Sequence, residues 1–172
     1  MTINGTAFKF NGPVESEHQW GPPYQNTYSR FLYGHAQIGP YDFVFYTIAP
    51  VGEPNTWATI GYVGADGKIL FNRCNKAASH DKTGVTIVTQ SGVQNVTGAP
   101  FPFPTKVVVE FVEDSGHIYK FEIELPFASA ASVGVGFYSE LSGPVTGGKV
   151  GGKQYTSTAE VQSYVGVGNT AL

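Results

Sequence analysis

Apolar and polar positions along this chain alternate mostly with a period of two. Residues 117–125 show it most cleanly. Tyr119, Phe121, Ile123 and Leu125 fall on one face, and Ile118, Lys120, Glu122 and Glu124 on the other, the signature of a half-buried strand. Other segments are apolar on both faces. Residues 41–48 set Tyr41, Phe43 and Phe45 against Val44, Tyr46 and Ile48, and residues 107–112 behave alike. Such strands need cover on two sides.

Turn formers cut this pattern into short pieces. Strands are expected over residues 6–11, 28–38, 41–49, 56–63, 68–72, 85–90, 94–97, 106–112, 117–125, 133–141 and 154–165. Gly39-Pro40 closes the second of these, and Asp66-Gly67 is a tight hairpin turn. Phe101-Pro102-Phe103-Pro104 reads as a rigid connector. Residues 142–153 read as a glycine-rich hairpin loop. Residues 75–82 are the one place where a turn or two of helix is expected. About ten strands on short connections pair mostly antiparallel, in a barrel or a sandwich. Closure into a barrel removes edges, which matters in a chain with few charged residues to guard them.

Composition sharpens this reading. Charged residues are 13% of the 172, about half of the roughly 25% usual for a soluble domain, and aromatics are 14%. The chain is expected to form one domain over 1–172. Lysines and arginines are scattered, so no nucleic-acid partner is expected. No apolar run approaches the ~20 residues of a membrane helix. The single cysteine, Cys74, excludes an internal disulfide. With no signal peptide, that reads as cytoplasmic. Four histidines without close spacing give no metal site. No nucleophile elbow stands out, and the run from Gly143 to Lys153 lacks the ending of a phosphate loop.

The densest chemistry lies near the start. Glu17-His18-Gln19-Trp20-Gly21 is followed by Tyr33-Gly34-His35-Ala36 and then Gly39-Pro40-Tyr41-Asp42, which leads into an aromatic strand. These pieces resemble a domain of the fungal Diels–Alderases, the lipocalin-like pericyclases of polyketide pathways. More distantly they resemble carotenoid hydratases of the hydroxyneurosporene synthase type. The chain departs from the family pattern in a shorter His-to-Trp spacing and at Ala36 and Asp42. The resemblance implies an all-β, lipocalin-like antiparallel barrel of about 8–10 strands. It further implies a cofactor-free cyclase acting on a small apolar polyene, with the substrate held in a pocket formed by the barrel and the domain junction. The family has two such domains, so the missing half would come from a homodimer, a partner chain or the rest of a longer protein.

Cyclising a polyene needs no nucleophile and no metal. It needs a folded pose, which recovers up to ~7–11 kcal/mol in ideal cases, and a donor aimed at an activating carbonyl. Tyr33, His35 and His18 are the candidate catalytic donors. Trp20, Tyr41, Trp57, Phe43, Tyr119, Phe121, Gln162 and Glu160 are the candidate substrate contacts. Each has a plainer alternative: the rings as barrel filling, Trp20 as an end plug, Glu160 and Gln162 as solvated polar positions. The rival function is a carrier that holds an apolar ligand unchanged.

Overall fold

The computed structural model describes residues 2–3, 6–7, 27–52, 58–76, 83–97, 99, 102–133 and 136–166. Short strands β1 (Thr2–Ile3) and β2 (Thr6–Ala7) pair with each other. The rest form one antiparallel sheet of β3 (Tyr28–Ile38), β4 (Tyr41–Pro50), β5 (Ala58–Ala65), β6 (Lys68–Lys76), β7 (Val85–Ser91), β8 (Lys106–Val112), β9 (Ile118–Glu124), β10 (Phe127–Val133), β11 (Gly136–Lys149) and β12 (Tyr155–Gly166). Its order is β6-β5-β4-β3-β12-β11-β9-β8-β7, with β10 on β11. No helix among the described residues is long and apolar enough to cross a membrane.

The sheet curls until its edges nearly meet, giving the expected barrel. Where β6 faces β7, a side chain stands in for the ladder. Asn75 Oδ1 accepts the Thr86 backbone N–H at 3.0 Å, and its Nδ2 reaches the Thr86 carbonyl at 3.5 Å. Nearby, Arg73 Nη2 donates to Asp114 Oδ2 at 2.9 Å.

The period-two pattern fixes the inside. Phe43, Phe45, Val63, Phe71, Val107, Val109, Phe111, Phe121, Ile123, Leu141, Val145 and Val161 form the core. Its centre is filled by stacked rings, with Phe43 and Phe121 only 4.2 Å apart between centroids and Phe111 edge-on to both Phe71 and Phe121. Tyr41 lies against Tyr119, Phe121 and Tyr155 at one end. The outer face of β9 carries the expected wet side, where Lys106 and Lys120 bridge Glu110, Glu122 and Glu124.

Strand β4 confirms that an apolar pattern on both faces demands two covers. Phe43 and Phe45 enter the core. Val44, Tyr46 and Ile48 instead join a second cluster outside the barrel with Tyr28, Phe31, Tyr33, Tyr138 and Tyr164.

The structure corrects several expected elements. Residues 142–149 are strand rather than loop. They continue β11, which pairs with β12 along its length and with β9 from Val145 to Lys149. The glycines there serve close packing: a Cβ on Gly147 would sit 2.2 Å from the Lys120 carbonyl oxygen. Of residues 133–141, Val133 ends β10, residues 136–141 belong to β11, and residues 134–135 lie outside the described set. Asn75 and Lys76 extend β6 instead of starting a helix, and residues 77–82 lie outside the described set. Residues 94–97 form only a single bridge, Gln94 to Phe103. Of residues 6–11, the described part is Thr6–Ala7.

Candidate functional site

Register builds the site. Gly34 lies opposite Phe45 on β4 and Val161 on β12 and points inward. A Cβ there would come within 2.5 Å of the Phe45 ring, so only glycine lets β3 close over that ring. Its neighbours Tyr33 and His35 therefore point outward. His35 is level with Glu160 on β12 and Val44 on β4, and Glu160 is level with Ser142 on β11. One row further, Tyr33 is level with Gln162 and Tyr46.

On this outer face lies a hollow of about 430 Å³, lined by His35, Ala36, Gln37, Asp42, Phe43, Val44, Ser142, Thr158, Ala159 and Glu160. His35 Nε2 stands 3.9 Å from Glu160 Oε2, with the imidazole a quarter exposed and the carboxylate about half. Gln162 Nε2 donates to Glu160 Oε1 at 3.1 Å. The Tyr33 ring lies 5.7 Å from the imidazole, between His35 and Tyr46. Across the hollow, Asp42 accepts a hydrogen bond from Tyr62. Burial, then the Asp42 charge and that bond, push the Tyr62 phenol above its usual range.

Two oxygens on Glu160 thus engage different groups, one the amide of Gln162 and one facing the ring of His35. The imidazole stands beside Glu160 and Val44 at the hollow, a quarter of it reachable from solvent. Such a ring can donate a hydrogen bond to a carbonyl or ether oxygen seated in the hollow, or take a proton from an adjacent acidic C–H or O–H. Among the described residues, no three His, Cys, Asp or Glu side chains come together as a metal site.

The structure separates the residues proposed from sequence. Tyr33, His35, Glu160 and Gln162 come together on the outer face. Tyr41, Phe43, Tyr119 and Phe121 come together inside the barrel, where Phe43 and Phe121 are fully buried and fill its centre; of these four, Phe43 also borders the hollow. His18, Trp20 and Trp57 lie outside the described residues. Sequence reasoning missed Asp42, Val44, Gln37, Thr158 and Ser142 as lining. Alternation alone places Val44 and Asp42 on the wall beside His35. Ser142 was hidden because its segment read as loop.

No protein-family model matches the chain. Its sequence is 25% identical over 165 residues to the quinolone epoxide rearrangement protein penF of Penicillium thymicola, covering 92% of this chain and 41% of penF. The crystal structure of CghA with Sch210972 superposes at a TM-score of 0.64 and 16% identity, over 85% of this chain and 43% of CghA. The chain shares its fold with CghA. A second CghA crystal structure agrees, at 0.63 over 87% of this chain. The chain spans about two fifths of the length of each of these relatives.

Proposed function

We propose that this chain forms part of a cofactor-free cyclase or isomerase whose reacting group is held at the outer hollow. The single observation that carries the reading is the His35–Glu160 pair beside that hollow, placed there by the register of β3 and β12. Similarity to a protein named for an epoxide rearrangement supports a reaction that redistributes bonds without changing mass. The resemblance of Tyr33-Gly34-His35 and its neighbours to fungal pericyclases supports the finer reading, an intramolecular [4+2] cyclisation of an apolar polyene. In either reaction the hollow fixes the pose, His35 hydrogen-bonds the activating oxygen, Glu160, held by Gln162, faces that ring, and Tyr33 packs beside it.

The test is turnover of a linear polyene or epoxide precursor by the chain, with products of unchanged mass resolved by chromatography. His35→Ala is expected to lower the rate about 100-fold or more, in line with loss of a positioned proton donor. Tyr33→Phe and Glu160→Gln are expected to lower it less. None should shift the melting temperature in proportion. Activity that survives His35→Ala, or that falls only as stability falls, overturns the assignment.

A further inference from the structure

Resting on the reading of His35 as the donor at the hollow, we infer that Asp42 is a second catalytic residue there, a base that takes a proton from the bound molecule while His35 holds its oxygen. Asp42 is one of the positions where the chain departs from the pericyclase pattern, so that pattern assigns it no role. His35 on β3 is level with Val44 on β4, and Asp42 stands two residues along β4 on the same outer face. Such a diagonal pair lies about 7–8 Å apart at the backbone. That spacing admits a few atoms of a ligand between the imidazole and the carboxylate. Both residues line the hollow, with apolar Ala36, Phe43 and Val44 beside them.

The carboxylate is held from the β5 side. Asp42 is level with Gly64. A Cβ on Gly64 would fall on the Tyr62 hydroxyl and would lie 2.7 and 2.8 Å from the two Asp42 carboxylate oxygens. The bare glycine thus leaves the space in which the phenol donates to the carboxylate. Asp42 borders the hollow and Tyr62 does not, which makes Tyr62 a positioning residue. A carboxylate has about four lone-pair sites, and Tyr62 is the one described side-chain donor to Asp42. Glu160, the other carboxylate of the hollow, already has one oxygen on Gln162 and the other facing His35. A donor alone serves a cyclisation; a base adds proton transfer. With the oxygen held by His35, Asp42 removes a proton from a nearby C–H or O–H, and the electron pair shifts toward that oxygen. The proton then returns to another atom of the same molecule, so mass is unchanged and no oxidant or reductant is needed.

The flat aromatic probe 5-nitrobenzisoxazole tests this, because its elimination reports a positioned base. Asp42 takes the ring C–H proton, that electron pair forms the nitrile, the N–O bond breaks, and the phenolate oxygen is left facing His35. The coloured phenolate is read by absorbance at neutral pH. The chain is expected to speed the reaction at least about 100-fold over acetate at equal concentration. Asp42→Asn, which keeps the shape and still accepts from Tyr62, and Asp42→Ala are each expected to lose about 100-fold. Both should keep the circular dichroism of the native chain. Tyr62→Phe should lower kcat about tenfold with KM unchanged, a split that a loss of folded protein does not imitate. Elimination that survives both Asp42 variants but falls in His35→Ala overturns Asp42 as the base and leaves the assignment of His35 standing. Elimination unchanged in every variant, or no faster than acetate, overturns the proposal outright.

Discussion

Tyr119 carries an alkaline signature that can be worked out from its surroundings. The ring is almost fully buried at the Tyr41 end of the barrel, 5.7 Å from the Tyr41 centroid. Its hydroxyl donates to Glu113, which also accepts from Ser115 Oγ at 2.7 Å and lies 3.2 Å from His117 Nδ1. Burial first, then the Glu113 charge and hydrogen bond, push the phenol up from 10.0 to about 12. The folded chain thus holds this proton more tightly than the unfolded chain. The stabilisation is complete below pH 10 and is lost as pH rises from 10 to about 12. Two pH units at about 1.4 kcal/mol each give on the order of 3 kcal/mol. Urea unfolding followed by circular dichroism at pH 8, 10, 11 and 12, on the native chain and on Tyr119→Phe, isolates this group, because every other tyrosine is common to both. The variant should be less stable at pH 8 by roughly 1–2 kcal/mol, from the lost hydrogen bond to a charged acceptor. As pH rises from 10 to 12 the native chain should lose about 2 kcal/mol that the variant does not lose, so the two curves should meet and cross. Curves that run parallel across that range refute the reasoning.

Other consequences follow from the closure of the barrel and its inner packing. Gly34→Ala drives a methyl into the Phe45 ring at 2.5 Å, and because Phe45 is fully buried the overpacking should cost about 1–3 kcal/mol; a variant with unchanged urea midpoint contradicts this. Asn75→Ala strips the Thr86 N–H of its acceptor at the β6–β7 gap and should cost about 1–2 kcal/mol. Hydrogen exchange in that variant should speed up at residues 85–87 and not along β3 and β4, whereas uniform acceleration would mean the edges were not joined there. Ser139→Ala and Ser163→Ala each break the buried hydroxyl pair at 2.7 Å and leave one orphaned oxygen. The double variant should therefore be no less stable than either single one, as read by urea unfolding; additive losses would refute that pairing.

The fold was largely legible because its governing signal is local. Alternation in residues 117–125 fixes which side of β9 is buried with no knowledge of its neighbours, and the Asp66-Gly67 turn sets Ala65 opposite Lys68, before a bulge at Val63–Gly64 shifts the rest of the β5–β6 register. Residues 142–149 were misread because glycine has two uses that composition cannot tell apart. In a loop it supplies unusual backbone angles. In β11 it makes room for the backbone of β9, a partner more than twenty residues away. Half of the candidate site was legible for the same reason. Tyr33 and His35 stand out in the chain, while their meeting with Glu160 depends on β12 closing beside β3, a pairing across more than 120 residues.

Which face of the aromatic strands looks inward was not readable from the sequence, and the candidate residues divide between the two faces because neighbours along a strand must point to opposite sides. In Tyr33-Gly34-His35 the central residue is the inward one, and it is the smallest available because Phe45 already occupies that space. Phe45 in turn stands in the strand that carries Phe43, which stacks on Phe121. The filled barrel and the outer hollow are therefore one arrangement. Rings pressed into the interior hold β3 at the register that brings His35 level with Glu160 and Val44. A slip of one residue would bury the imidazole against Phe45 and turn Gly34 out to face the hollow. The glycine between two aromatic side chains is what lets packing on one face of the sheet set the chemistry on the other.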